Sequence, residues 1–166
     1  ITLLRRDGTV ERTFGIDAVP WTVDLVGDEL VVIDLSREEL VWIGVSDGAV
    51  RRTVSLPELP RDVEVIGDEL FVALAGDSTV RTLDARSGET IGAHLVDPGP
   101  AQLAEVPGGR VAVICQGASS SLWLLGPGGA PDERLGRASF LSDPLFADGE
   151  VLGAWPEQNA NGALGI

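Results

Sequence analysis

Six carboxylates fall at comparable places in the connections of this chain: Asp17, Asp34, Glu58, Asp77, Asp97 and Glu157. Brought to one rim, they could hold a hard cation. Calcium takes about six to eight oxygen ligands from such carboxylates and from nearby carbonyls. Calcium is therefore the metal to expect, with Asp17, Asp34, Glu58, Asp77 and Asp97 as its candidate ligands. The same residues have a plainer use, because Asp bonds its own backbone two residues on and shapes turns. No EF-hand-like spacing links them.

Other chemistry has less to work with. His94 is the only histidine, so any Ser-His-Asp or two-histidine metal site would have to use it. It falls in Thr90-Ile-Gly-Ala-His-Leu95, which reads as an outer strand, and is expected at the surface rather than in a catalytic site. Cys115 is the only cysteine, so no internal disulfide can form. Its setting, Arg110-Val-Ala-Val-Ile-Cys115, is an alternating apolar strand, which suits a buried thiol better than a nucleophile. No Gly-x-Ser-x-Gly, Walker or dinucleotide fingerprint occurs.

The tryptophans offer flat apolar faces. Trp42 and Trp123 lie within apolar runs and are expected in the core, whereas Trp21 and Trp155 lie near loops. Trp155-Pro-Glu-Gln-Asn159 is aromatic and amide-rich where its sibling loops are small. Trp21, Trp155, Glu157, Gln158 and Asn159 are the candidate ligand-binding residues.

A repeat must position these residues. Gly27-Asp-Glu-Leu-Val-Val32 returns as Gly67-Asp-Glu-Leu-Phe-Val72, and Gly109-Arg-Val-Ala-Val113 and Gly149-Glu-Val-Leu152 continue the series. Asp7-Gly8, Asp47-Gly48, Ser87-Gly88 and Pro127-Gly128 recur every 40 residues, and so do Pro20, Pro60 and Pro100. Three markers in phase establish a unit of that length.

Within a unit, Thr22-Val-Asp-Leu-Val26 alternates as a half-buried strand does. Leu30-Val-Val-Ile33 is continuously apolar, as in a strand covered on both faces. Leu40-Val-Trp-Ile-Gly-Val45 follows, then a hairpin signal at Asp47-Gly48. Val50-Arg-Arg-Thr-Val-Ser-Leu56 mixes charge into the alternation, as an exposed edge strand does. Four short strands per unit of about 40 residues predict an all-β chain of propeller blades, about four blades' worth. A β-sandwich would show strands but no fixed period.

The phase predicts a single propeller or propeller segment divided as 1–19, a C-terminal half-blade; 20–59, 60–99 and 100–141, three blades; and 142–166, an N-terminal half-blade. Such a chain is expected to complete itself through a homodimer or through the remaining blades of a longer protein.

Asp77-Ser-Thr-Val-Arg-Thr-Leu-Asp-Ala-Arg-Ser-Gly-Glu-Thr-Ile-Gly-Ala-His94, then Pro100, then Pro107-Gly-Gly-Arg-Val-Ala-Val113 resembles the YVTN-type β-propeller repeat. The third and fourth units carry the match. Asp77 stands where that pattern has Asn, and Ala75-Gly76 replaces its Ala-Asn. Quinoprotein-like, NHL and WD-type blades share much of this grammar. The resemblance implies a bacterial or archaeal protein in a periplasmic, secreted or cell-surface setting. It also implies a binding module for a protein, glycan or small molecule, with lactonase-type hydrolases and redox enzymes among the relatives.

Composition narrows the partners. The chain has 166 residues, a net charge of −14 and 26 acids against 12 basic residues, all of them Arg. Phosphate backbones need clustered basic residues, so nucleic acid is not an expected partner. No apolar run approaches the length of a membrane span. Together these readings favour a non-enzymatic binding module, with a propeller hydrolase or quinoprotein oxidoreductase, using a metal or redox cofactor over the channel, as the alternative.

Overall fold

A computed structural model describes residues 1–118, 120–126, 132–138, 145–147 and 150–152. Among the described residues the chain forms strands and no helix. The first complete sheet is β3 (Pro20–Val26), β4 (Glu29–Asp34), β5 (Glu39–Gly44) and β6 (Val50–Ser55). The second is β7 (Pro60–Ile66), β8 (Glu69–Leu74), β9 (Thr79–Asp84) and β10 (Thr90–Leu95). The third is β11 (Pro100–Val106), β12 (Arg110–Gln116), β13 (Ser120–Leu125) and β14 (Glu133–Ala138). Two-stranded sheets flank them: β1 (Thr2–Leu4) with β2 (Val10–Thr13), and β15 (Leu145–Ala147) with β16 (Glu150–Leu152). Each sheet runs antiparallel in chain order. The chain is an all-β propeller segment built of four-stranded antiparallel blades.

Turn chemistry fixes the register. Val26 pairs with Glu29 and Ile66 with Glu69 across two-residue loops that open with Gly27 and Gly67. The matching loop of the third blade, Pro107-Gly108-Gly109, is one residue longer between Val106 and Arg110. That insertion explains why the glycine series slips slightly from its period. The Asp47-Gly48 and Ser87-Gly88 turns do more than reverse the chain. A Cβ on Gly48 would meet Phe14 at 2.8 Å, and one on Gly88 would meet Val54 at 2.8 Å and Trp42 at 3.2 Å. Each turn is therefore tucked against the preceding blade, where only glycine fits.

The core lies between blades. Side chains alternate along a strand, so β4 sends Val31 and Ile33 one way and Leu30 and Val32 the other. Val31, Ile33, Leu40 and Trp42 of the first blade meet Val63, Leu70, Val72, Leu74 and Leu83 of the second. Phe71, Ala73 and Val80 meet Leu103, Val111, Val113, Cys115 and Leu125 of the third. On the other side of the first blade, Leu30, Val32, Val41 and Ile43 meet Ile1, Leu3, Phe14 and Ile16. The second strand of each complete blade is thus buried on both faces, as its apolar run predicts. Trp42, fully buried, donates its indole N–H to the Ala85 carbonyl across the blade interface at 3.0 Å.

Candidate functional site

The first strands β3, β7 and β11 lie side by side, β7 between the other two, and form the inner wall of the segment. Each begins with a member of the proline series. Proline is tolerated there because the first residue of an edge strand can forgo its N–H. Each also bulges at once. Pro60 pairs with Leu74 and Asp62 with Ala73, leaving Arg61 unopposed; Pro100 pairs with Cys115 and Gln102 with Ile114, leaving Ala101 unopposed. The first blade has the same irregularity between Pro20 and Val23, where Trp21 holds the equivalent place. A bulge re-aims the extra side chain away from the pleat.

These re-aimed residues line a common cleft of about 430 Å³, formed by Trp21, Arg61, Ala75, Gly99, Pro100, Ala101, Gln102 and Gln116. Trp21 is 58% exposed there. Arg61 has no ion pair among the described residues, although the chain is strongly acidic. The cleft thus presents an indole face, a guanidinium and two carboxamides. A second cleft, of about 550 Å³ at the opposite end of the inner strands, is lined by the Gly27-Asp28 and Gly67-Asp68 turns with Arg52 and Arg86.

Below the Trp21 cleft, carboxylates run along the inner wall and tie neighbouring blades together. Asp24 accepts the backbone N–H of Val65 at 2.7 Å. Asp62 accepts the Thr22 hydroxyl at 3.1 Å on one side and the Leu103 N–H at 2.7 Å on the other. Glu64 accepts the Glu105 N–H at 3.2 Å. An edge strand's N–H groups need acceptors, and the acids of the preceding blade supply them. Burial pushes the Glu64 carboxyl up to about 7, helped by the nearby charge of Asp24. Burial also raises Asp62, against the hydrogen bonds it receives.

Of the five candidate metal ligands, Asp17 and Asp34 meet at one guanidinium and the others have partners of their own. Asp34, wholly buried, accepts the Val19 and Ser36 N–H groups at 3.1 and 2.9 Å and the Ser36 hydroxyl at 2.6 Å. It also takes an Arg37 N–H at 3.0 Å. Burial pushes its carboxyl up, but those hydrogen bonds together hold it below the ordinary carboxylate value. Arg37 reaches onward to Asp17 at 2.8 Å, so these two acids share one guanidinium. Asp97 pairs with Arg134 at 2.6 Å and takes the Trp123 indole N–H at 3.3 Å. Asp77 accepts the Thr79 N–H and hydroxyl at 3.1 and 2.6 Å, the turn-shaping role open to any such Asp. Glu58 stands in the connection between the first two blades, where its carbonyl accepts the Gly76 N–H at 2.8 Å. Among the described residues no three His, Cys, Asp or Glu side chains converge as metal ligands would.

Trp155, Glu157, Gln158 and Asn159 lie outside the described residues. His94 stands in the outermost strand of its blade, as expected, but its side chain is only 16% exposed, held 2.9 Å from Asp132. Cys115 is buried, and burial pushes its thiol up to about 11. Of the sequence candidates among the described residues, Trp21 alone belongs to the cleft. Arg61, Gln102 and Gln116 were missed, and so was the carboxylate ladder. For Arg61 the signal is the repeat itself, as the residue after a phased proline, and for the ladder it is acids recurring within the strand nearest the axis.

No family model matches this sequence, and no curated protein is significantly similar. Solved structures share the fold. BamB from Moraxella catarrhalis is 19% identical with a TM-score of 0.66, over 90% of this chain and 51% of its own. The WD40 β-propeller domain of Doa1 is 11% identical with a TM-score of 0.65, over 85% and 49%. A chain of hydrazine synthase from Kuenenia stuttgartiensis is 16% identical with a TM-score of 0.60, over 89% and 59%. This chain therefore spans about half to three-fifths of the length of the propellers it matches.

Proposed function

We propose that this chain is a binding module of the β-propeller type, of YVTN-like repeat, and that the Trp21–Arg61 cleft is where its ligand sits. The observation behind this reading is a guanidinium with no ion pair among the described residues and an exposed indole, both lining one cleft at the same backbone bulge. A guanidinium matches a carboxylate or similar oxyanion. An indole face stacks on a pyranose ring or an apolar side chain, and the amides of Gln102 and Gln116 suit hydroxyl or peptide groups. The ligand chemistry is an acidic glycan or an acidic peptide segment, free or carried on a protein. The repeat's resemblance supports a periplasmic, secreted or surface setting for such a module.

A panel of uronic-acid and sialylated oligosaccharides, alongside short acidic peptides, provides the test. A binder found there should lose at least about tenfold in affinity on Trp21→Ala and on Arg61→Gln, about 1.4 kcal/mol each. Melting temperature should stay near wild type, because both side chains lie on the surface of the cleft. Binding that ignores both substitutions would overturn the assignment.

Catalysis is the second reading, and Glu64 is its support. A carboxyl near 7 is half-protonated at neutral pH and can both take and give a proton. Turnover of simple lactones that Glu64→Gln abolishes would favour it over binding alone.

A further inference from the structure

The interface between the first two complete blades is plugged toward its outer side, and the equivalent place between the second and third is hollow. In the first blade Trp42 stands opposite Arg52 on the face toward the second, with the guanidinium 4.7 Å from the indole ring centroid. Glu29 completes the plug, 2.7 Å from Arg52 and 4.0 Å from Arg51. One repeat on, the acid is kept as Glu69, but Trp42 becomes Thr82 and the two arginines become Ile91 and Gly92. The pairing is the same. Thr82 opposes Gly92 and Phe71 as Trp42 opposes Arg52 and Val31.

The hollow measures about 260 Å³, and Glu69, Thr82, Ile91, Gly92 and His94 line it with Gly126 of the third blade. Among the described residues the Glu69 carboxylate has neither ion pair nor hydrogen bond. Thr82 is 5% exposed, and its hydroxyl has no hydrogen-bond partner. A buried polar group left so costs free energy that a bound donor would return. His94 stands where the first blade has Val54, and its Nδ1 lies 2.9 Å from Asp132 of the third blade. A carboxylate there accepts, so in the neutral ring Nδ1 carries the proton and Nε2 is an acceptor. The backbone does not demand the glycine. Gly92 is outside the left-handed region, and a Cβ on it would meet nothing nearer than 3.8 Å.

We propose that this hollow is a site for a guanidinium cation, which Glu69 holds as Glu29 holds Arg52. The chain supplies that cation from its own sequence at the first interface and takes it from outside at the second. A carboxylate, a hydroxyl and an imidazole nitrogen are all acceptors, and a guanidinium offers five N–H donors in one plane. Ile91, 56% exposed, gives an alkyl stem an apolar surface to lie on. A lysine ammonium has the charge but lacks the planar fork, so it matches the set less well. The cation can be an arginine side chain of a polypeptide or a small free alkylguanidine, since both present the same group. A net charge of −14 favours the approach of either.

Amide NMR of the isotope-labelled 166-residue chain tests this, by titration with methylguanidinium, acetyl-arginine amide and acetyl-lysine amide in about 0.15 M salt. The amides of Glu69, Thr82, Gly92 and His94 should move together and saturate with both guanidinium compounds, at least about tenfold more tightly than with the lysine compound. Glu69→Gln should weaken binding at least about tenfold. Gly92→Arg sets a guanidinium beside Glu69 from within the chain and should abolish binding without lowering the melting temperature. If Glu69→Gln does not fold, Gly92→Arg decides alone. Tighter binding of acetyl-arginine amide than of methylguanidinium would mark an arginine side chain as the source, and equal or weaker binding a small free guanidine; either result supports the site. Equal affinity for the lysine compound would mean a general cation surface. Unmoved amides would mean a water-filled gap only, and binding indifferent to both substitutions would mean another place on the chain. Each of these last three results overturns the proposal.

Discussion

Thr22-Val-Asp-Leu-Val26 and Asp62-Val-Glu-Val-Ile66 follow the same phased proline, carry the same bulge and pair in the same register with the strand behind them. Among the described residues β7 is nonetheless closed in on both sides while β3 is closed in on one. In β7 the apolar position is core and the acids are crowded; in β3 the apolar positions are open and Asp24 serves only the blade ahead. Local sequence sets the strand, and the count of neighbouring blades sets what each residue in it costs.

Substituting the two valines breaks the comparison most directly. Val63→Asp places a carboxylate in the apolar cluster of Val31, Ile33, Leu70 and Val72. Burying an unpaired charge costs several kcal/mol, so a loss of at least about 4 kcal/mol is expected. Val23→Asp should cost the isolated chain less than about 1 kcal/mol. Urea unfolding at sub-micromolar concentration measures both. Equal losses would mean that β3 is covered after all.

Glu64 sharpens the contrast, because its position between two blades is what raises it. Its ordinary value is 4.5 and its folded value about 7. Between those values the folded chain holds more proton than the unfolded one, so stability falls as pH rises through that window. Asp34 and Asp97, held below the ordinary carboxylate value, act in the opposite sense: their contribution is present above about pH 4 and is lost as pH falls further. Maximum stability is expected at about pH 5. Glu64→Gln keeps an acceptor for the Glu105 N–H and removes the charge. After allowance for solvent screening it should stabilise the chain by about 1–2 kcal/mol at about pH 8 and leave it little changed at about pH 5. Thermal unfolding across pH reads this out; a parallel shift at all pH values would mean that the effect is packing and not ionisation.

The repeat made most of the fold legible. Phased glycines and prolines located the hairpins and the inner strands, and the continuous apolar run at 30–33 announced a strand buried on both faces. The site was less legible, for two physical reasons. A bulge changes which way a side chain points without changing residue types, so Arg61 and Ala101 read as ordinary strand positions. Hydrogen-bond partners a full unit apart, such as Asp24 with Val65 or Asp62 with Leu103, follow from how blades are stacked, which the period alone does not define. Likewise Asp17 and Asp34 are drawn to one guanidinium while Asp97 pairs with another, and nothing in their spacing shows it.

The connections leading into β7 and β11 carry the comparison to its smallest expected effect. Leu59 and Gly99 hold the same place, one residue before the phased proline, and both have left-handed backbone, with φ of 55° and 73°. Their carbonyls do the same work, accepting the N–H of Ala75 at 3.1 Å and of Gln116 at 2.7 Å. Glycine adopts that conformation freely, whereas leucine bears a strain of about 1–3 kcal/mol there. Leu59 recovers little by packing, since it is exposed. Leu59→Gly should therefore stabilise the chain, by about 1 kcal/mol once the greater freedom of an unfolded glycine is subtracted. The mirror change, Gly99→Leu, adds the same strain and sets a Cβ 3.2 Å from the Gly117 nitrogen and 3.3 Å from the Gln116 carbonyl carbon. It should cost more than Leu59→Gly gains. Paired melting curves decide the matter: if Leu59→Gly lowers stability, the leucine side chain holds its connection through contacts that outweigh the backbone strain, and the turns before β7 and β11 are not equivalent.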